Sequence, residues 1–446
     1  MQGTLFGAPA ATNGFRDPSF SRNKNLPMHR WIPWVAGFSA EFVEDCLNNY
    51  IPTRNAETWV LDPFSGVGTT LVEAYVRGIN VVGFEINPYA ALASDLKVHS
   101  TKISIKELSN AISVFEKFME KAEGGLIRRE PRSSPPTGFT GRHQLFSQKI
   151  QRKVLYALDY IQAIGDRTIR DIFRLALGSV MISFSNYSYE PSLTRRIVAG
   201  KPNIEDANVG LSLSAKLRLM LEDIGWLQGH LRTIGARPKA LVVPKSIFSA
   251  PDSLPFRRFA DLVITSPPYL NNYHYPRNTR PQMHWLGFTK GTGYSAAGED
   301  ESFGRFWQTV RSGPALKLSF EFPELAKLIE CVRQSNQEKG AYGGPGWANY
   351  VATYFNDANR FCKVLSVLLK RKAVAVIVLG NSIIQGIEIK TDHMFGKIAE
   401  QNNLTYEHNI VLRKKRIGNS IVQSSVRCDH PGERTILYES AIILRR

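Results

Sequence analysis

The stretch that most constrains the fold is a strand, a glycine turn, a helix and a second strand in immediate succession. The strand Thr58–Leu61 runs into the turn Asp62–Gly68 (DPFSGVG), an apolar helix follows, and the second strand, Asn80–Phe84, ends at Glu85. Glycines in such a turn let the backbone approach a ligand at the helix N-terminus, and an acid at the next strand end suits ribose hydroxyls. The turn has no GxGxxG pattern and no Gly-Lys-Ser/Thr follows it, which excludes a P-loop. This βαβ unit predicts a site for an adenosine-type cofactor.

A later strand stops abruptly at two prolines. The aliphatic run Ala260–Ile264 continues into Thr265–Tyr269 (TSPPY), and the strand must end there because neither proline can donate a ladder hydrogen bond. Both prolines fix φ, which makes the turn stiff. The Ser266 hydroxyl and the neighbouring carbonyls can accept hydrogen bonds, and Tyr269 offers a flat ring. The turn is therefore a rigid pocket suited to an amino group on an aromatic base.

The charge balance indicates a polyanionic partner. The chain of 446 residues carries 56 Lys and Arg against 39 Asp and Glu, which gives a formal net charge of +17. Nucleic acid is the simplest such partner, because the excess charge is accompanied by many aromatic residues. A generically basic protein is the alternative.

The cysteines indicate neither a metal site nor a disulfide scaffold. They are far apart, with no CxxC pair and no histidine at ligand spacing: Cys46, Cys331, Cys362 and Cys428. This usage fits a reducing cytoplasm, which is the location we expect. We also expect no signal peptide and no membrane span, because the longest aliphatic stretch, Ala373–Leu379, is far too short to cross a bilayer.

Pattern and composition divide the chain into four parts. Residues 1–27, rich in Gly, Ala, Asn, Ser and Pro, are expected to form a loose N-terminal arm. Residues 28–98 hold the βαβ unit, and residues 99–241 show apolar residues at helical spacing, which predicts a largely helical insertion. Residues 242–446 return to α/β patterning, with a glycine-rich insertion at 287–346 and two strands at the end.

Two segments combine aromatic, hydroxyl and basic side chains in the manner of nucleic-acid contacts. One is Ser183–Tyr189 with the arginines that follow it, where a solvated helix edge is an equal alternative. The other follows the TSPPY turn directly. The side chains predicted to contact nucleic acid are Arg195, Arg196, Tyr273, Arg277 and Arg280.

Together, the DPFSGVG and TSPPY motifs resemble those of the amino-group DNA methyltransferases, which modify an exocyclic nitrogen of cytosine or adenine with S-adenosylmethionine. The resemblance covers residues 28–98 and 255–446. It implies a Rossmann-like class I methyltransferase fold, with a seven-stranded, mostly parallel sheet and an antiparallel C-terminal hairpin. The helical insertion is then the candidate for target recognition. Double-stranded DNA is the implied substrate, a restriction endonuclease is an open partner, and neither a metal nor a membrane is implied.

The resemblance also assigns roles to residues of this chain. By this resemblance, the turn around the methionine part of the cofactor is shaped by Asp62, Phe64, Gly66 and Gly68. Glu85 would hold the ribose hydroxyls. The expected cofactor site is completed by two N-terminal aromatic residues and two residues beside the turn and the acid: Trp31, Phe38, Thr69 and Asn87. The expected catalytic tetrad is Ser266, Pro267, Pro268 and Tyr269.

The serine of the TSPPY motif indicates cytosine as the target base. In the family that this chain resembles, the position is Asp, Asn or Ser; Ser in this setting is typical of N4-cytosine enzymes, and Asp is commoner in N6-adenine enzymes. We therefore expect N4 of a flipped-out cytosine, with N6 of adenine as the alternative. Two features depart from the pattern: the cofactor motif precedes the catalytic motif, and Leu241–Ser246, where the third strand should end, has no acid.

Three further classes compete with this expectation. A C5-cytosine enzyme needs a cysteine nucleophile, typically after proline, and no cysteine of this chain follows a proline. An RNA guanine-N2 or protein-glutamine methyltransferase more often has Asp or Asn in place of Ser266. A DNA-binding protein with an inactive methyltransferase fold is opposed by the intact Ser266, Gly66, Gly68 and Glu85.

Overall fold

The computed structural model describes residues 14–34, 37, 39–53, 55, 57–137, 144–190, 192–255, 257–271, 273, 275–289, 301–415 and 437–446, without the side chains of residues 20–22 and 415. In this part of the chain the strands of the main sheet are β1 (Trp59–Asp62), β2 (Asn80–Phe84), β5 (Ala240–Val243), β6 (Ala260–Thr265), β7 (Leu369–Gly380), β10 (Thr405–Lys415) and β11 (Leu437–Arg445). Two small hairpins stand apart from it: β3 (Tyr187–Tyr189) with β4 (Leu193–Arg195), and β8 (Ser382–Ile384) with β9 (Ile387–Ile389).

The sheet has the strand order β10-β11-β7-β6-β1-β2-β5. The five strands from β7 to β5 are mutually parallel, and β11 runs antiparallel to both of its neighbours. The expected α/β fold class, with its seven-stranded, mostly parallel sheet and antiparallel C-terminal hairpin, is confirmed. Because β1, β2 and β6 are adjacent and parallel, the turns that follow them meet at one edge of the sheet.

Helices cover both faces of the sheet. They are α1 (Ala40–Tyr50), α2 (Thr69–Val76), α3 (Pro88–His99), α4 (Ile105–Glu123), α5 (Gln148–Ala163), α6 (Arg167–Val180), α7 (Val209–Thr233), α8 (Tyr275–Trp285), α9 (Pro323–Gln334), α10 (Gly344–Leu368) and α11 (Thr391–Glu400). Two single turns lie at Ala250–Ser253 and Trp307–Val310. No helix of the described ranges combines the length and the apolar character that a membrane crossing requires.

Side chains at the N-termini start the helices of the 99–241 insertion. In each of the helices α4 to α7, one backbone N–H of the first turn donates to the side chain of the N-cap residue. These N-cap residues are Ser104, Ser147, Asp166 and Asn208. Between them, apolar faces at helical spacing pack into one cluster with the rest of the domain. The segment is therefore largely helical, apart from the β3–β4 hairpin.

The core lies in two apolar layers, one on each face of the sheet. Val60 and Val81 pack towards α1–α8, while their neighbours Leu61 and Val82 pack towards α9–α11. Successive residues of a strand point to opposite faces of the sheet. Because helices cover both faces, β1 and β2 are buried on both sides, and their sequences are nearly continuous runs of hydrophobic residues.

The segment 14–27 corrects one expectation, because it is fastened to α1 rather than loose. Arg16 donates to Asp45 through its backbone N–H at 2.7 Å and through its guanidinium, which also donates to Glu44 at 2.8 Å. The Ser39 N–H donates to the Pro18 carbonyl at 2.8 Å. Composition does not reveal this attachment, because the acidic partners lie 28 and 29 residues further along the chain. Residues 1–13 of the expected arm lie outside the described residues.

Candidate functional site

At the carboxyl ends of the parallel strands lies a cavity of about 730 Å³. Phe64 and Gly66 line it from the first motif, and Ser266, Pro268 and Tyr269 line it from the second. The two motifs meet because β1 and β6 are parallel neighbours, with Val60 opposite Leu262 and Leu61 opposite Val263. The two turns that the sequence singles out therefore share one cavity.

The DPFSGVG turn holds two backbone conformations that favour glycine. Gly66 has φ of 51° and Gly68 has φ of 85°. A Cβ on Gly66 would lie 3.3 Å from Nε1 of Trp34, and a Cβ on Gly68 would lie 2.8 Å from Cβ of Ser94. Gly66 thus keeps space open in front of an indole ring, while Gly68 lets α2 start tightly against α3.

Glu85 connects the turns that follow β1 and β2. Its Oε2 accepts from the Gly66 N–H at 2.8 Å, and its Oε1 accepts from the Asn87 N–H at 2.7 Å. Burial raises the pKa of this carboxyl to about 7, while the two backbone hydrogen bonds favour its charged form. Both Glu85 and Asn87 line the cavity.

Asp62 links the first motif to the second. The side chain is 2% exposed, and its Oδ1 accepts from the Thr265 hydroxyl at 2.7 Å and from the Phe64 N–H at 3.1 Å. Burial raises the pKa of the Asp62 carboxyl to about 6. Asp62 therefore supports the geometry of both turns and does not itself line the cavity.

The TSPPY turn is held from behind by α10. Tyr354 is fully buried, and its hydroxyl donates to the Pro268 carbonyl at 3.1 Å. Pro267 is buried, whereas Ser266 and Tyr269 are partly exposed to the cavity. Burial raises the pKa of the Tyr269 phenol above its ordinary value, so the ring stays neutral. The result is a stiff turn that presents acceptors and a flat aromatic surface.

An ion pair from the C-terminal hairpin forms the wall beside Tyr269. Gly380, Glu439 and Arg413 are successive cross-strand partners on β7, β11 and β10, and all three line the cavity. The Arg413 Nε–H donates to the carboxylate of Glu439, which is 8% exposed. Gly380 is required by the neighbouring strand, because a Cβ there would lie 2.8 Å from the Tyr438 carbonyl oxygen; the same Cβ would lie in ordinary contact, at 3.6 Å, with Cε2 of Tyr269. Sequence reasoning did not find this pair.

The structure corrects the expectation that Trp31 contacts the cofactor. Trp31 is fully buried away from the cavity, and its indole N–H donates to Oδ2 of Asp223 at 3.0 Å. Asp223 is a buried acid of α7 that also accepts from the Arg30 guanidinium at 2.6 Å. Both donors offset the free-energy cost of burying its carboxylate. Trp34, three residues further on, lines the cavity instead. Phe38 lies outside the described residues.

The remaining predicted residues divide between support and surface. Thr69 begins α2 and is buried, and like Gly68 it shapes the turn without lining the cavity. Of the residues predicted to contact nucleic acid, Tyr273 lines the cavity. The arginines of that group lie outside the cavity lining: Arg195, Arg196, Arg277 and Arg280. Their contacts with nucleic acid stay a prediction.

Several cavity residues come from segments with no recognisable motif. Phe303, from the 287–346 insertion, packs edge-on against Phe64 with ring centroids 5.5 Å apart, and Arg305 lines the cavity next to it. Lys245–Ile247 line the cavity directly after β5, where the expected acid is missing. Lys97, fully buried in α3, donates to the Val67 carbonyl at 2.8 Å and so supports the glycine turn.

Replacing Gly68 by alanine should destabilise the protein by roughly 2–4 kcal/mol, because the new Cβ adds both a positive-φ penalty and a contact with Ser94. Gly125 is the matched control: its φ is 74°, but no atom lies within 4 Å of the position that a Cβ would take there. Gly125→Ala should therefore cost only the backbone penalty of roughly 1–2 kcal/mol. Urea unfolding of both variants measures the two free energies of unfolding. An equal decrease in both would contradict the prediction, because it would mean that the new Cβ at residue 68 does not strain the contact with Ser94.

Comparison with known proteins gives a consistent result. A family model described as DNA methylase, covering N6 and N4 enzymes, matches residues 12–95. The Type II methyltransferase M.BsoBI of Geobacillus stearothermophilus is 25% identical over 443 residues, which cover 91% of this chain and 84% of that protein. The Type II methyltransferase M.MvaI of Kocuria varians is 22% identical over 390 residues, which cover 86% of this chain and 83% of that protein. The solved rRNA methyltransferase aviRa from Streptomyces viridochromogenes aligns with 98% of this chain and 96% of its own at 10% identity, with a TM-score of 0.30.

Proposed function

We propose that this chain, which matches a DNA methylase family model over residues 12–95 and is similar to Type II methyltransferases along most of its length, is an amino-methyltransferase that methylates N4 of a cytosine turned out of duplex DNA, with S-adenosylmethionine as the methyl donor. The observation that carries the proposal is the cavity shared by the glycine turn with its acid and by the TSPPY turn. A cofactor site alone would fit many enzymes, and an amine-binding turn alone would fit a binding protein. Their combination supports methyl transfer to an amine, and the match to a family model described as DNA methylase supports DNA as the substrate.

The residues around the glycine turn fit S-adenosylmethionine. Glu85 provides carboxylate acceptors for the ribose hydroxyls, and the missing Cβ of Gly66 leaves room against Trp34. Lys245–Ile247 border the cavity after β5, on the side where adenine would lie. When bound, the cofactor supplies a methyl group on a positively charged sulfur, which is a strong electrophile.

The TSPPY turn acts on the amine. The lone pair of an exocyclic amino group is delocalised into the ring, so the nitrogen is a poor nucleophile. The Ser266 hydroxyl accepts from one of its two hydrogens and a backbone carbonyl of the turn accepts from the other, which favours a pyramidal nitrogen whose lone pair points at the methyl group. Tyr269 stacks on the base. Such alignment can lower the barrier by roughly 7–11 kcal/mol, without a covalent intermediate.

Cytosine is the base that the cavity wall suits better. Next to its amino group, cytosine presents two adjacent acceptors, N3 and O2, whereas adenine presents only N1 on the same edge. Arg413 lines the cavity beside Tyr269 and is an obligatory donor, held there by Glu439. Ser266 in place of Asp favours cytosine as well. N6 of adenine is the second candidate, and the order of the two motifs favours it.

Duplex DNA must open for the base to enter this cavity, because the target nitrogen is not accessible to a transferase inside the stack. The net charge of +17 supports phosphate contacts, which would make the affinity fall as salt rises. A restriction endonuclease of matching specificity is the partner implied by a Type II methyltransferase.

Transfer of a labelled methyl group from S-adenosylmethionine to duplex DNA tests the proposed function. We expect label in DNA and none in RNA when both are present in equal amounts. Intact cofactor binding without transfer to DNA would contradict the proposal, and preferential label in RNA would favour an RNA enzyme.

A further inference from the structure

Beside the cavity, the turn after β4 exposes two aliphatic side chains to solvent. Ile197 is 67% exposed and Val198 is 64% exposed. Of the eight large apolar side chains that are exposed in the described part of the chain, these two alone are neighbours in sequence. Turn tips ordinarily carry Gly, Pro, Asn, Asp or Ser, so two β-branched side chains there need a reason.

Hydrogen bonds hold this turn, residues 195–201, in a defined conformation. Three backbone N–H groups donate to carbonyls three to five residues back: Ala199 to Arg195 at 3.1 Å, Gly200 to Ile197 at 3.1 Å, and Lys201 to Arg196 at 2.8 Å. Gly200, with φ of 71°, allows the chain to reverse. The aliphatic pair is therefore presented by an ordered turn.

The turn is attached to the helix that follows the TSPPY motif. The Leu193 N–H donates to Oδ1 of Asn278 at 2.9 Å, and the Tyr189 hydroxyl donates to the Asn278 carbonyl at 3.1 Å. Asn278 and Tyr189 both line the cavity. Four residues of chain from Leu193 to Ile197 span at most about 13 Å, so Ile197 lies within that distance of Leu193, whose N–H is bound to a residue of the cavity lining.

Basic groups flank the aliphatic pair on both sides. Arg195 and Arg196 precede it and Lys201, which is ion-paired with Glu190, follows it, while Arg277 and Arg280 are exposed on α8. The Arg196 Nε–H donates to the Pro202 carbonyl at 2.7 Å, and this hydrogen bond fixes the guanidinium of Arg196 relative to the turn. An apolar tip between cations complements a DNA duplex, whose phosphates lie outside and whose stacked bases lie inside.

We propose that Ile197 and Val198 form a wedge that enters the DNA stack beside the flipped target base. The inference rests on the proposed function and deepens it. A base that leaves the duplex removes stacking from its neighbours, and aliphatic side chains inserted between base steps replace part of that contact. The wedge would stabilise the open duplex while the adjoining cavity holds the base.

The test compares the double variant Ile197→Ala/Val198→Ala with wild type on two duplexes that contain the sequence methylated in expressing cells. One duplex has the normal base opposite the target, and the other has an abasic site there, which weakens pairing and reduces the need for a wedge. We expect kcat/KM to fall about tenfold on the paired duplex and to recover on the abasic one, because the variant no longer replaces the stacking that is lost when a paired base leaves the duplex. Leu211→Ala, which removes an equally exposed side chain on α7, is the matched control and should change neither rate.

Cofactor affinity and thermal unfolding of the double variant should match wild type, since neither side chain lines the cavity or the core. Wild-type rates on the paired duplex would overturn the wedge, as would equal losses on both duplexes, which would indicate ordinary groove contacts. A change in oligomeric state with unchanged methylation would show that the pair joins two copies of the chain instead. Wild-type enzyme that methylates no DNA would contradict the proposed function itself, so the two failures are distinguishable.

Discussion

Replacing Ser266 by alanine should lower the rate constant of methyl transfer about 10²–10³-fold and leave the affinity for S-adenosylmethionine nearly unchanged. The hydroxyl is one of the two acceptors that we assign to the target amine, and alanine removes it without altering the backbone. The turn keeps its support, because Tyr354 still donates to the Pro268 carbonyl at 3.1 Å. Single-turnover kinetics with saturating cofactor separate the transfer step from binding.

Ser179→Ala is the matched control for this variant. Ser179 also lines the cavity, but its hydroxyl donates to the Ala176 carbonyl of its own helix at 2.8 Å. We expect it to transfer methyl groups at close to the wild-type rate. Our division of roles is wrong if Ser266→Ala keeps full activity, or if its loss of activity is explained by loss of cofactor binding.

Replacing Glu85 by glutamine should weaken S-adenosylmethionine binding by roughly 10- to 150-fold, which corresponds to the loss of one or two charged hydrogen bonds. The amide can accept from only one of the two N–H groups, of Gly66 and Asn87, that the carboxylate now accepts from. Its NH2 would face the other N–H, so both the turn and the ribose contacts would suffer. Isothermal calorimetry measures the change, with Glu120→Gln on the exposed side of α4 as a control of equal charge change.

The same carboxyl predicts a pH dependence of cofactor binding. Burial raises the pKa of Glu85 from its ordinary 4.5 to about 7, and protonation removes an acceptor, so affinity should rise between pH 6.5 and 8 and level off above. Stability changes in the opposite sense: because the folded pKa lies above the unfolded one, the contribution of Glu85 to the unfolding free energy falls as pH rises from 4.5 to about 7. Glu85→Gln should lose most of the pH dependence of binding above pH 6.5. A dependence below pH 6.5 should remain, because burial also raises the pKa of the nearby Asp62 to about 6. An unchanged pH profile in this variant would assign the dependence to another group.

Local sequence patterns predict where the strands before the two motifs end, and the resemblance to amino-group DNA methyltransferases predicts the sheet that brings the two motifs together. A glycine turn and a proline stop each mark the end of a strand, and parallel strands bring their carboxyl ends to one edge. Ser266, Tyr269, Gly66 and Glu85 therefore lie together in the structure as the patterns indicate. These residues are found from sequence because their backbone roles depend on immediate neighbours.

The rest of the cavity depends on contacts between distant segments. The sequence analysis names Trp31, but the buried Asp223, 192 residues away, accepts from its indole N–H and holds that ring outside the cavity, which Trp34 lines instead. Phe303 reaches the cavity by packing on Phe64 from a glycine-rich insertion that has no clear strand pattern. The Arg413–Glu439 pair depends on the register of β10 against β11, which hydrophobic alternation does not fix to one residue where a strand carries bulges.

The most direct measurement is the identity of the modified nucleoside in DNA methylated by the purified protein with S-adenosylmethionine. After complete digestion, chromatography with mass detection distinguishes N4-methyldeoxycytidine, N6-methyldeoxyadenosine and 5-methyldeoxycytidine. Ser266 in the TSPPY turn and Arg413 in the cavity wall predict N4-methyldeoxycytidine. N6-methyldeoxyadenosine as the product would contradict the choice of base, and 5-methyldeoxycytidine would contradict the amine chemistry altogether.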